Sequence, residues 1–151
     1  MEKESYFHNS IYNLYIEKSN IPNAGFGVFT KDFIPAYTCI DEYVGEIYSF
    51  NPGDFYIFEF DSKHYIDAQF FPRCYMSMIN DCNFIVKKII KKKKRKIDIT
   101  PNGYYDENCN MLVTNCVFKK NIENKKVHIF SLVDIQPNSE LFLSYGSNYW
   151  S

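Results

Sequence analysis

The sequence lacks any apolar run longer than a few residues, so no stretch of it suits a membrane-spanning helix. It lacks a C-x-x-C pair. Its five cysteines, Cys39, Cys74, Cys82, Cys109 and Cys116, are odd in number and widely spaced. That pattern argues against a secreted disulfide framework and against the paired ligands of a structural zinc site. His8, His64 and His128 are scattered singly, so no metal is expected. The N-terminus, MEKESYFHNS, is polar and carries acids, unlike a secretory signal. Neither Gly nor Ala, Leu and Glu dominate, which excludes collagenous and coiled-coil chains. An intracellular protein is expected.

What the chain does have is aromatic mass. Of its 151 residues 46% are hydrophobic and 19% aromatic, with 13 Tyr and 14 Phe. A chain of this length makes one domain and buries roughly 70% of its unfolded surface, so it can build a core and is not intrinsically disordered as a whole. The net charge of −1 conceals a split. Lys87–Lys96 (KKIIKKKKRK) holds eight of the 17 basic residues, leaving 9 basic against 18 acidic elsewhere. An acidic body suits a basic partner such as a Lys/Arg-rich peptide. The basic run reads as an anion-binding arm, a nuclear address or a solvated loop.

Alternating apolar positions predict a strand over Ile11–Glu17, followed by a turn-rich SNIPNAGFG. Val28–Phe29 and Tyr37–Tyr48 read as strands interrupted around Pro35 and Gly45, and Phe55–Phe60 pairs with Lys63–Asp67 as a hairpin. Phe71–Asn80 is the best helix candidate: Pro72 stands near its start, and Phe71, Tyr75, Met78 and Ile79 share a helical face. Asn80 would then be its C-cap. Met111–Lys119, Lys126–Leu132 and Leu141–Tyr145 are strand-like again. Many short strands, one or two short helices and a low-complexity insert do not make the βαβ rhythm of a nucleotide-binding sheet. Gly25-Phe26-Gly27 is likewise no dinucleotide fingerprint, because Thr30 stands where a third Gly is needed and a strand follows in place of a helix.

Taken one by one, GFGVF (Gly25–Phe29), YVGE (Tyr43–Glu46), YIFEF with YIDA (Tyr56–Phe60, Tyr65–Ala68), MINDC (Met78–Cys82), Cys109-Asn110 and HIFSLVDIQPNSELFLSYG (His128–Gly146) are weak signals. In this order, from about Tyr12 to Trp150, the sequence resembles a SET domain, the fold of S-adenosylmethionine-dependent protein lysine methyltransferases. It is closest in type to the compact viral SET enzymes that have no zinc-binding pre- and post-SET regions. The resemblance implies a mainly β fold with little helix, of β-clip type: small curled sheets around a knot-like crossing of the C-terminal strand. Residues 1–11 would be an N-terminal extension, residues 12–150 the SET domain, and residues 84–107 a basic insert within it.

The resemblance also implies a reaction, in which a neutral lysine amine attacks the methyl carbon of a sulfonium. Desolvation and the sulfonium charge both lower the amine pKa, so water can carry the proton away. Tyr145 would be the central residue, with Tyr56 and Tyr149 lining a channel that aligns the amine. Gly25, Phe26 and Gly27 would meet the methionine end of the cofactor, Asn80 and Asp81 its adenine side, Tyr145 its methyl group, and Trp150 would cover the adenine ring. No metal is implied. The implied substrate is a basic peptide such as a histone tail, which suits a chromatin regulator in the nucleus (the host nucleus for a viral protein). A homodimer and a weak nucleic-acid contact through Lys87–Lys96 are compatible with the sequence, as is a SET-like module that binds a partner without turnover.

Several positions depart from the family pattern. Asp81 replaces a His, Ser77 stands at a common Arg position, Asn138-Ser139 replaces Gly-Glu while Glu140 remains, and Leu143 stands two residues before Tyr145 where an aromatic is frequent. The basic arm is tested by deleting Lys87–Lys96 and measuring DNA affinity against salt. A phosphate-contacting arm should give up as many as about seven units of log–log slope. Unchanged affinity removes the arm from nucleic-acid binding.

Overall fold

The computed structural model describes residues 5–53, 56–70, 72–82 and 112–144. The chain opens with a short strand, β1 (Tyr6–Phe7), and reaches its first hairpin through β2 (Leu14–Lys18) and β3 (Phe26–Thr30). β2 and β3 pair antiparallel from Leu14 opposite Thr30 to Lys18 opposite Phe26. Their connection closes with Ser19 N–H on the Gly25 carbonyl at 2.8 Å. Gly25 has φ of +74°, a left-handed conformation that glycine adopts without a side-chain penalty.

Next come β4 (Cys39–Glu42), β5 (Glu46–Tyr48), β6 (Ile57–Asp61) and β7 (His64–Asp67). β7 is the centre of a three-stranded antiparallel sheet with β5 and β6 at its sides. The interruption expected at Gly45 within Tyr37–Tyr48 separates β4 from β5. A Cβ on Gly45 would collide with the backbone carbonyl of Asp67 and lie 3.0 Å from the nitrogen of Ala68, so the close approach of two chains selects glycine there.

The helix expected over Phe71–Asn80 is not formed. Tyr75–Met78 makes one 3-10 turn, flanked by β8 (Arg73–Cys74) and β9 (Asn80–Asp81); Phe71 lies outside the described residues. Cys74 and Ile79 are extended, with ψ of 146° and 129°, and no side chain caps the turn. The cause is tertiary: both flanks are drawn into parallel ladders, Tyr6 and Phe7 opposite Arg73 and Cys74 on one side, and a C-terminal strand on the other. Asn80 is therefore a strand residue and not a C-cap. Within the expected N-terminal extension, Tyr6 and Phe7 form β1 of this arrangement, and Asn9 N–H donates to Asp41 Oδ2 at 2.8 Å.

β10 (Cys116–Asn121) and β11 (Lys126–Ser131) form a third hairpin after β2–β3 and β6–β7, and β4 pairs with the far side of β11. Val127, Ile129 and Ser131 are buried in alternation with Lys126, His128 and Phe130, the period of a strand with one face on the core. β12 (Ser139–Glu140) adds to β3, and β13 (Phe142–Leu143) pairs with β9. The result is a mostly β fold of two- and three-stranded sheets with almost no helix, as the sequence implied. The insert at 84–107 lies outside the described residues.

One main core joins the sheets, including Val28, Ile34, Ile40, Ile66, Ile79, Val127, Ile129, Leu141 and Leu143. Each such side chain contributes about 2 kcal/mol of burial. Tyr43, just after β4, Phe58 of β6 and Phe118 of β10 pack at centroid distances of 4.8 to 6.1 Å, which ties these segments together. We expect Gly45→Ala to lower unfolding free energy by about 2 kcal/mol in urea titrations, because the backbone at Asp67 must shift to accept a methyl group.

Candidate functional site

The carboxylate of Glu140 is the meeting point of three distant stretches of chain. It is 3% exposed, and it accepts from Ser19 Oγ at 2.7 Å, from Asn20 N–H at 2.7 Å and from Asn80 Nδ2 at 3.4 Å. Ser19 Oγ in turn accepts from Ile21 N–H at 3.1 Å, so the whole Ser19–Ile21 turn hangs from this side chain. Asn80 Nδ2 also donates to the Phe26 carbonyl at 3.0 Å. A Cβ on Gly27 would collide with the Glu140 carboxylate and stand 3.2 Å from Asn80 Nδ2. Glycine at 27 is thus required by contact and not by a special φ.

The strand order explains how these groups meet. Glu140 lies opposite Phe29 in the ladder of β12 and β3, and Leu141 N–H donates to the Val28 carbonyl at 2.8 Å. The chain then runs on as β13, between β9 and the residues before β10. On one side Phe142 and Leu143 pair with Asn80 and Asp81. On the other, Asn115 N–H donates to the Phe142 carbonyl at 3.1 Å, and Asn115 Oδ1 accepts from Phe142 N–H at 2.7 Å. Asn115 Nδ2 completes the set on the Glu140 carbonyl at 3.0 Å.

Of the residues expected to hold a cofactor, the structure brings Gly25, Phe26, Gly27 and Asn80 together, with Asp81 buried beside Asn80. The Phe26 ring is 46% exposed next to this cluster, an apolar surface available to a ligand. Both amide hydrogens of Asn80 point inward, and among the described residues its Oδ1 accepts no hydrogen bond. An amide held in one orientation with a free acceptor, beside a turn stripped of a side chain, fits the amino-acid end of an S-adenosylmethionine molecule. Leu143, two residues before Tyr145, is fully buried. Tyr145, Tyr149 and Trp150 lie outside the described residues.

Tyr56 stands at the head of β6, in a different sheet from the Gly25–Gly27 turn. Its φ is +59°, unusual for a bulky residue, and its carbonyl accepts from Ala68 N–H at 2.9 Å. The Arg73 guanidinium lies 4.0 Å from the centre of its ring and donates to the Gln69 carbonyl at 2.9 Å. One face of Tyr56 therefore already carries a cation. A shallow groove of about 390 Å³ lies on the β10–β11 hairpin, lined by Lys119, His128 and Phe130 among others; it shares no residue with the Glu140 cluster.

Sequence reasoning did not single out Ser19, Asn20, Glu140 or Asn115. Glu140 left one usable trace, as the acid retained where its two preceding neighbours diverge. Asn138 explains that divergence: its φ is +64°, a left-handed position that Asn tolerates in place of Gly. Asp81 and Glu140 add to the main effect of burial in pushing the Cys82 thiol up, against a hydrogen bond with Thr114. Among the described residues, no group of three or more His, Cys, Asp or Glu is placed to hold a metal ion.

Burial pushes the Glu140 carboxyl above the ordinary carboxylate range, against the hydrogen bonds from Asn20, Ser19 and Asn80, which favour ionisation. A group whose folded pKa exceeds its unfolded one stabilises the fold fully below the unfolded value, and that contribution is lost as pH rises through the folded value. Glu140 should thus make the protein less stable as pH climbs from about 4 through its raised pKa. Urea midpoints measured across that window should show this fall in wild type and a flatter profile in Glu140→Gln.

Comparison with known proteins identifies the fold and family. The SET domain family model matches residues 25–146. The structure is similar to the crystal structure of KRYPTONITE in complex with mCHG DNA and SAH, with a TM-score of 0.60 and 22% identity over 91% of this chain. It is equally similar, at the same TM-score and identity, to KRYPTONITE in complex with mCHH DNA, an H3(1-15) peptide and SAH. The chain spans 24% of the length of those chains. No match is found among curated protein sequences.

Proposed function

The chain belongs to the SET-domain family, and from that premise we propose that it is an S-adenosylmethionine-dependent protein lysine methyltransferase acting on a basic peptide, with histone tails as the substrate class. The observation that carries the reading is the convergence of the Gly25–Gly27 turn, Asn80 and the β12–β13 segment on one buried carboxylate. It builds a rigid polar cradle out of residues 120 positions apart in sequence. The structural neighbours carry SAH, and one of them an H3 peptide, which supports the same ligand classes here. The acidic excess outside Lys87–Lys96 favours a Lys/Arg-rich substrate. A substrate of that kind places the protein at chromatin, in a nucleus. The compact viral SET enzymes remain the subclass that its motifs resemble.

When bound, the donor supplies a methyl group activated on a sulfonium. The residues of the chain do the rest. The Gly25–Gly27 turn and Asn80 orient the amino-acid end of the donor, and the Glu140 hydrogen bonds keep that surface from rearranging. By the family pattern, Tyr56 and Tyr149 would strip water from the incoming lysine, which lowers its pKa so that its proton passes to solvent. The Tyr145 hydroxyl would align the amine nitrogen, so that its lone pair could form the new N–C bond as the C–S bond breaks and its electron pair goes to sulfur. Trp150 would cover the adenine, and Asp81 would contribute backbone contacts on that side.

Incubation of the purified protein with labelled methyl donor and mixed histones should transfer label to lysine. Absence of transfer, together with absence of donor binding by calorimetry, overturns the proposal and favours a partner-binding module. Tyr145→Phe should reduce transfer at least tenfold with an unchanged thermal melt. Near-normal activity would assign the central role to another residue.

A further inference from the structure

A buried carboxylate costs several kcal/mol unless hydrogen bonds or an opposite charge offset it. Among the described residues Glu140 takes part in no ion pair; the salt bridges present there involve Asp61, with His64 and Lys125. Neutral donors alone hold it: the Ser19 hydroxyl, the Asn20 N–H and the Asn80 amide. Asn80 belongs to the surface assigned above to the methyl donor, Ser19 closes the turn that carries Gly25 through its N–H on the Gly25 carbonyl, and the Glu140 side chain itself fills the space that a Cβ on Gly27 would need. A side chain that only filled core would not require three aimed donors, and an apolar residue would fill the same space at lower cost.

We infer that Glu140 is a positioning residue for the methyl donor. This rests on the methyltransferase reading and deepens it. The carboxylate locks the Asn80 amide with its Oδ1 outward and suspends the Ser19–Ile21 turn beside Gly27, so the cradle exists before the donor arrives. Pre-organisation of this kind acts on donor affinity and leaves the peptide side untouched.

Four variants test it: Glu140→Gln, Glu140→Asp, Gly27→Ala, and Gly27→Ala with Glu140→Asp. Donor KM, peptide KM and SAH affinity by calorimetry are the readouts. Glu140→Gln should raise donor KM and weaken SAH binding by about tenfold or more, with peptide KM within about twofold of wild type. Gly27→Ala should lose most SAH affinity, and shortening Glu140 to Asp in the same chain should recover at least about fivefold, because one methylene is removed where one methyl was added. In wild type, SAH should slow amide hydrogen exchange at Asn20 and Ile21 and leave the β10–β11 hairpin unchanged. This last measurement decides the matter even where a variant fails to fold. A folded Glu140→Gln with normal donor KM, a double variant no better than Gly27→Ala, or unchanged exchange at Asn20 and Ile21 overturns the inference alone. A wild-type protein that binds no SAH and transfers no methyl group overturns the methyltransferase reading as well.

Discussion

A carboxylate removed from water must find donors, and the donors that Glu140 finds decide where three segments of this chain lie. Two come from the turn after β2 and one from the start of β9. Each bond spans 60 or more residues of sequence. Individually such hydrogen bonds contribute about 1.5 to 3 kcal/mol when one partner is charged. Their larger effect is directional, because leaving any one of them unmade would strand a charge in the interior. The same carboxylate excludes any side chain at position 27, so a glycine that looks like a turn residue is there for contact.

Around that point the fold is assembled from pieces too small to stand alone. Two-residue strands such as β1, β8, β9 and β13 have no independent stability. They persist because β1 with β8 and β9 with β13 form parallel ladders over the core, and the Asn115 bonds hold the other edge of β13. The passage of β13 between β9 and Asn115 places Leu143 in the core, just before the first residue of the C-terminal aromatic motif. On the opposite flank, Tyr56 is kept in a strained backbone conformation beneath the Arg73 guanidinium. The Gly27 side is thus organised by a buried carboxylate and the Tyr56 side by a half-buried guanidinium.

Much of this was legible before the structure, for identifiable reasons. The β6–β7 hairpin, and the strands though not the pairing of β2, β3, β10 and β11, announced themselves by short strand-like runs set off by turn residues, which are local properties. The Gly25 turn was legible because a left-handed φ demands a particular residue type. Phe71–Asn80 misled because Tyr75 and Met78, two of its four apolar positions at helical spacing, also satisfy one 3-10 turn between two strands. The ladders that decide between the two use Tyr6 and Phe142, far away in sequence. Glu140 was almost silent, since one acid in SELFL carries no periodicity and its partners lie in other motifs. Asn138 looked like a departure from the family and proved to be a conservative answer to the same backbone constraint.

By itself the sequence determined a single aromatic-rich, mainly β domain, the order of its motifs and the family they belong to. Those properties reside in residue types at short spacing, where backbone geometry and hydrophobic alternation act directly. Tertiary structure alone decided which carboxylate holds the cradle, why position 27 tolerates no side chain, and which groups hold the Asn80 amide and the Tyr56 ring. Hydrogen bonds and close contacts are short-ranged in space but indifferent to separation along the chain, so only the folded arrangement of these segments could specify them.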